Sequence, residues 1–262
     1  MSELKLKRSA NGELLVQRFS VHRRVEHAFG IVVFVTLVIT GLPQKFDTTE
    51  WGAQLIVLLG GVESTRLAHR VAGIAFSVHA VLHLLVAAIG VITGRLRAEM
   101  VPTPQDLKDA QHNLQYFFGE RSHPPALPKY DYRQKFEYVG MVLGGLVMVA
   151  SGIVLMFPLT VAQWIPAALI PAALVAHSSE AVLALLVLVV WHIYTVALSP
   201  DVFPIDESMF TGYMPVEELA EHHRREYDRL FPNGVSEVPG EAPRPPANRQ
   251  VPPPALKPAT KT

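Results

Sequence analysis

There is no cysteine anywhere in the 262-residue chain. That absence removes disulfides, cysteine-ligated iron–sulfur clusters and thioether-attached c-type haem, which requires Cys-x-x-Cys-His. Net charge is missing as well, because 23 Lys and Arg balance 23 Asp and Glu. Without an excess positive field to meet phosphate, no nucleic-acid partner is expected. Any redox group must be held by histidine, or not covalently at all.

What the chain has is apolar residues gathered into blocks. Four of them approach or exceed the roughly 20 residues a helix needs to cross a bilayer, at about 26–44, 67–93, 137–158 and 176–198. The mean hydropathy of +0.26 is modest only because polar segments at 95–136 and after 198 dilute it. The reading is an all-α integral membrane protein, a four-transmembrane-helix bundle over 26–198. Residues 1–25 are expected to form a cytoplasmic lead and 199–232 a cytoplasmic segment with one helix; 233–262 is expected to be a disordered proline-rich tail. No small-x-small pattern follows the first block, so a removable signal peptide is not expected.

Lys and Arg set the orientation. Lys5, Lys7, Arg8, Arg18, Arg23 and Arg24 precede the first block, and Arg95, Arg97, Lys108, Arg121, Lys129, Arg133 and Lys135 lie between the second and third. The first loop holds only Lys45 and Arg66, and 159–175 holds neither type. Both termini are therefore expected on the cytoplasmic side of a bacterial inner membrane. Residues 48–61 are too short to span and are read as an interfacial helix on the outer surface. Pro166 and Pro171 should break the apolar run before the fourth span, leaving 162–174 as a short outer-face segment.

Ionisable side chains inside a membrane are functional-site candidates by default. Of eleven histidines, His69, His79 and His83 fall in the second block, His177 and His192 in the fourth, and His27 opens the first. His177 and His192 are 15 residues apart, roughly 22 Å of rise and about 60° of rotation. They face broadly one side near opposite surfaces, so two stacked cofactors fit better than one. A zinc-like ion needs ligands converging on one point, which histidines a membrane apart cannot provide. A bis-histidine haem needs one imidazole on each face of the porphyrin and small residues beside it. Gly73, Ala181, Gly30 and Ala197 lie near the candidates on the helical net. His69 and His177 share a depth and can clamp one haem. The inner partner of His192 is either His27 or His83, which lies on the His69 stripe, and depth leaves that choice open.

The motifs in chain order are "RRVEHAFG…ITGLP", "RLAHRVAG", "QKFEYVG…SGIVLMFP" and "AHSSEAVLALLVLVVWHIY". They resemble the cytochrome b (gamma) subunit of membrane formate dehydrogenases, a family that includes the haem-b anchors of nickel–iron hydrogenases. The likeness spans roughly residues 18–230. It implies axial haem ligands at His27, His69, His177 and His192. His83 stands where the relatives carry an apolar residue, a departure that keeps it open as the alternative inner ligand. The family often spaces the helix-four pair by 14. It also implies a quinone site, for menaquinone or ubiquinone, at Asp131 in "KYDYRQK", where the family carries asparagine. Arg24 and Arg70 are possible propionate contacts, with lipid-phosphate anchoring of Arg24, Arg66 and Arg70 the alternative. His79 is read as a packing residue, and His22, His112, His123, His222 and His223 as solvated.

The expected role is a membrane-anchoring di-haem electron-transfer subunit with no catalytic residues of its own. It would pass electrons between the quinone pool and an outer-face iron–sulfur or multihaem c-type partner. A haem-free anchor or a small transporter is the alternative; a transporter would need broken helices at a midplane site.

Overall fold

The computed structural model describes residues 5–199 and 202–235. The proline-rich tail from 236 onward lies outside the described residues. Among the described residues four helices are long and apolar enough to cross a membrane. They are α1 (Val21–Lys45), α3 (Val62–Ile92), α5 (Tyr132–Met156) and the span Leu169–Leu198, which opens as α7 (Leu169–Leu186). Between them lie α2 (Glu50–Leu58), α4 (Pro104–Phe117) and the short α6 (Pro158–Val161). α1 packs mainly on α3 and α5 mainly on α7, and thinner contacts between α3 and α5 and between α1 and α7 close the bundle. With four spans, the chain enters the first and leaves the fourth at one end of the bundle, called here the termini end.

The spans begin earlier than the apolar blocks because capping groups sit in the polar flanks. Ser20 caps α1 by accepting from the Arg23 amide, and Asp131 caps α5 by accepting from the amides of Arg133 and Gln134. The break expected at Pro171 is not there. α7 already starts at Leu169, so Pro171 occupies its first turn, where an amide has no intrahelical acceptor and proline costs little. Only 162–168 of the expected 162–174 surface segment lies outside the helix.

The termini end carries a cap that hydropathy did not reveal. Residues read as a plain lead form β1 (Leu6–Arg8) and β2 (Leu14–Gln17), an antiparallel pair. After the fourth span come α8 (Ser208–Thr211), β3 (Tyr213–Pro215), α9 (Val216–His222) and α10 (Arg224–Leu230). β3 pairs with β2 in the order β1-β2-β3, with Val16 opposite Met214. The single helix expected in 199–232 is thus three, α8, α9 and α10, with α9 and α10 parted at His223. The cap has its own small core of Val16, Met214, Val216, Leu219 and Phe231. Gly212, at φ +86°, ends α8 and lets its carbonyl accept from the amides of Arg18 and Phe19; a Cβ there would meet the Phe19 carbonyl at 3.0 Å.

His223, read as solvated, is buried in this cap, and its Nδ1 donates to the Pro128 carbonyl at 2.7 Å. Burial pushes its pKa down from 6.5 to about 4; Arg18 and His222 act in the same sense, against the Pro128 hydrogen bond and Asp131. The unfolded imidazole takes up a proton near 6.5, whereas the folded one resists until about 4, so cap stability is full above 6.5 and falls as pH drops through that window. The loss should approach about 3 kcal/mol by pH 4. Hydrogen exchange of the cap amides should accelerate between pH 7 and pH 4.5 beyond the intrinsic rate change, and His223→Gln should flatten that slope.

Candidate functional site

Two pairs of histidines meet across the bundle, one near each end. At the far end His69 of α3 faces His177 of α7, with ring centroids 6.3 Å apart. At the termini end His27 of α1 faces His192 of the fourth span, at 6.2 Å. Two imidazoles bound to opposite faces of one metal, each nitrogen at about 2.0 Å, place their centroids about 6 Å apart. His79 and His83 are 6.4 Å apart, but they sit side by side on one helix and cannot straddle anything.

The proton on each far-end ring is set by a hydroxyl. Thr40 Oγ1 donates to the Thr36 carbonyl at 2.7 Å and lies 2.9 Å from His69 Nδ1. Ser151 Oγ donates to the Val147 carbonyl at 2.5 Å and lies 3.0 Å from His177 Nδ1. A hydroxyl has one proton, and here the backbone takes it, so the oxygen accepts from Nδ1–H. That leaves Nε2 of both rings as a lone pair available to a metal. The next residue in each case is glycine. A Cβ on Gly41 would approach His69 Cε1 to 2.8 Å, and one on Gly152 would approach His177 Cε1 to 3.4 Å. The dipeptides Thr40-Gly41 and Ser151-Gly152 do the same work for the two ligands, each from the helix its histidine packs on.

At the termini end the orienting groups are carboxylates. His192 Nδ1 lies 2.5 Å from Glu137 Oε1, though off the line of a good hydrogen bond. Glu26 Oε1 accepts from His83 Nδ1 at 2.7 Å, and Glu26 Oε2 accepts from Arg23 at 3.0 Å. His83 Nε2 is 3.1 Å from Tyr138 Oη. Both His83 nitrogens are engaged, whereas His27 has its ring turned toward His192. His79 packs its ring on Phe29 at 5.1 Å.

Room for a flat macrocycle is present beside these rings. A Cβ on Gly30, Gly73 or Gly140 would have nothing within 4 Å, and these glycines follow His27, His69 and Glu137 by three or four residues. Among the described residues no group of three or more His, Asp or Glu could hold a metal ion together. Two facing imidazoles with an open flank fit haem b and not a polydentate metal site.

The fourth span shows how a 15-residue spacing keeps both its histidines in line. Past Leu186 its hydrogen bonding widens to π turns, Val187–His192 and Tyr194–Leu198; the Ile193 amide donates to the Leu188 carbonyl and Ser199 to Tyr194. A π turn closes a ring one residue wider than an α turn, so it absorbs a surplus residue and returns the following side chains toward their former phase.

The remaining expected site residues sit as follows. Asp131 is 3 % exposed, and its carboxylate is taken up by capping α5 and by the Arg133 guanidinium at 2.6 and 2.9 Å. Arg24 donates to the Phe210 carbonyl, and its Nε is buried without a protein partner. Arg70 is exposed, and Arg66 lies 3.8 Å from Glu63 on the surface. His22 is exposed, and His112 lies 3.1 Å from the His123 carbonyl. The sequence reading passed over Glu26, Glu137 and Glu180, acidic residues inside spans; Glu180 turns its carboxylate onto Gly144 at the middle of α5. The motifs read from the sequence hold Thr40-Gly41 and Ser151-Gly152, but neither hydroxyl was given a role there. A hydroxyl-glycine dipeptide near the end of an apolar run was the available signal.

The family model described as prokaryotic cytochrome b561 matches residues 18–212. No curated protein matches the chain. The chain belongs to the prokaryotic cytochrome b561 family: a multi-pass membrane protein with b-type haem that transfers electrons as a subunit of hydrogenase- and formate dehydrogenase-type redox complexes.

Proposed function

We propose that this cytochrome b561-family chain holds two b-type haems, one between His69 and His177 and one between His27 and His192, and relays electrons between them across the membrane. The observation that carries the reading is the pair of cross-helix histidine contacts at 6.3 and 6.2 Å. Bound haem supplies a one-electron iron couple; position, low dielectric and axial ligation come from the protein.

The chain's own residues divide the labour by depth. Thr40 and Ser151 fix the tautomer of the far-end pair with neutral groups, and Gly41 and Gly152 let the rings approach. Glu137 sets a carboxylate beside His192 Nδ1. At the termini end Glu26, His83 and Tyr138 form a hydrogen-bonded polar wall, which offers a quinone headgroup hydrogen-bond partners. Asp131 serves that end by placing the first turn of α5. The Lys and Arg excess in the N-terminal segment and the α3–α5 loop supports a cytoplasmic termini end. The far-end pair then faces the outer-face iron–sulfur or multihaem partner, and menaquinone or ubiquinone reacts at the cytoplasmic pair.

A reduced-minus-oxidised spectrum of the purified chain with a pyridine-haemochrome assay tests this. A b-type α band and two haems per chain are expected. One haem per chain overturns the two-site reading, and no haem leaves a bare anchor or a transporter.

A further inference from the structure

α4, in the loop between two spans, turns its polar side inward. Asp106, Asp109 and Asn113 are its buried residues. Lys135 Nζ donates to Asp106 at 2.8 and 3.0 Å, Arg225 Nη2 to Asp109 at 2.7 and 2.9 Å, and Asn113 Nδ2 to Tyr132 Oη at 2.9 Å. The apolar side chains point away from the protein: Leu107 is 76 % exposed, Leu114 56 %, Phe117 72 % and Phe118 75 %. At about 100° per residue, Leu107, Ala110, Leu114, Phe117 and Phe118 fall within an arc of roughly 100° beside the buried arc. Lys108, Gln111, His112 and Gln115 occupy the third side. The helix thus has one face for protein, one for an apolar medium and one for water.

Two features identify the apolar medium. Lys135, which holds Asp106, lies in the first turn of α5, where that span enters the bilayer, so α4 is held at the membrane surface. The surrounding exposed cations, Arg95, Arg97, Lys108 and Arg121, suit anionic headgroups. A helix with an apolar stripe of Leu and Phe and basic neighbours lies in the interface plane with that stripe in the acyl boundary.

We propose that α4 is an interfacial membrane anchor at the termini end, with Leu107, Ala110, Leu114, Phe117 and Phe118 seated in lipid and Lys108, Gln111 and Gln115 in water. Through Arg225 and Asp109 it ties the cap to the bilayer, and through Lys135 and Asp106 it ties the bilayer to the start of α5. The inference stands on α4 alone and does not depend on which histidines bind haem.

The chain's lack of cysteine makes the test direct. Single cysteines at five exposed positions and the half-buried Gln115, Leu107→Cys, Leu114→Cys and Phe118→Cys against Lys108→Cys, Gln111→Cys and Gln115→Cys, are spin-labelled in the full-length protein. The carrier is nanodiscs of phosphatidylcholine and phosphatidylglycerol. At the first three positions relaxation by oxygen should exceed relaxation by a water-soluble nickel chelate; at the other three the order should reverse. An optical spectrum equal to that of the parent protein shows that each labelled chain kept its bundle. Nickel dominance at all six positions places α4 in water and overturns the proposal. Shielding from both reagents at Leu107, Leu114 and Phe118 also overturns it, since a second copy would then cover the stripe.

Discussion

His192→Ala should cut bound haem from two per chain to one, while His83→Ala leaves two. The contrast follows from what each ring already touches. His192 and His27 face one another at a spacing that two axial ligands of one iron require. His83 has Nδ1 on Glu26 and Nε2 near Tyr138, so using it as a ligand would break at least one part-buried hydrogen bond. His27→Ala should behave as His192→Ala does. Pyridine-haemochrome stoichiometry reads all three variants. Loss of one haem in His83→Ala with retention of two in His27→Ala would move the termini-end haem to a site between α3 and the fourth span.

The second large effect is on potential. Glu137→Gln removes a carboxylate whose oxygen is 2.5 Å from His192 Nδ1. Were His192 Nε2 to hold the iron, the imidazole width and the metal bond would put that carboxylate about 6–7 Å from it. At an effective dielectric near 20 the interaction is about 2.5 kcal/mol, or about 0.1 V for one electron. The carboxylate favours the oxidised iron, so its removal should raise the midpoint potential of one haem by about 0.1 V and leave the other within a few tens of millivolts. Potentiometric titration of the α band resolves the two. An unchanged pair, or an equal shift of both, would exclude Glu137 as the group that tunes the termini-end site.

Parts of this protein were legible along the chain because their physics is local. Apolar block length reports the spans, and the phase of His177 and His192 on a helix reports that they share a side. Gly41 beside Thr40 and Gly152 beside Ser151 were visible as dipeptides, but their purpose depends on which helix packs opposite. The pairing of β2 with β3 joins residues about 200 positions apart, and no periodicity in seven or so short-strand residues could announce it. The same holds for His223, polar in sequence and buried by the fold.

The inverted α4 shows the limit most plainly. In the sequence 95–136 reads only as a polar segment, with no helix expected there, and which side of α4 meets water is decided by Lys135 and Arg225 reaching its aspartates from other elements.

The sequence by itself therefore determined the membrane class, the four spans, the absence of cysteine-held cofactors and a short list of histidines. Hydropathy and helical phase are properties of a single segment, and they survive without knowing its neighbours. Which histidine faces which, which nitrogen carries the proton, and which carboxylate stands behind His192 were decided by tertiary structure alone. Those are distances between helices, and only packing sets them.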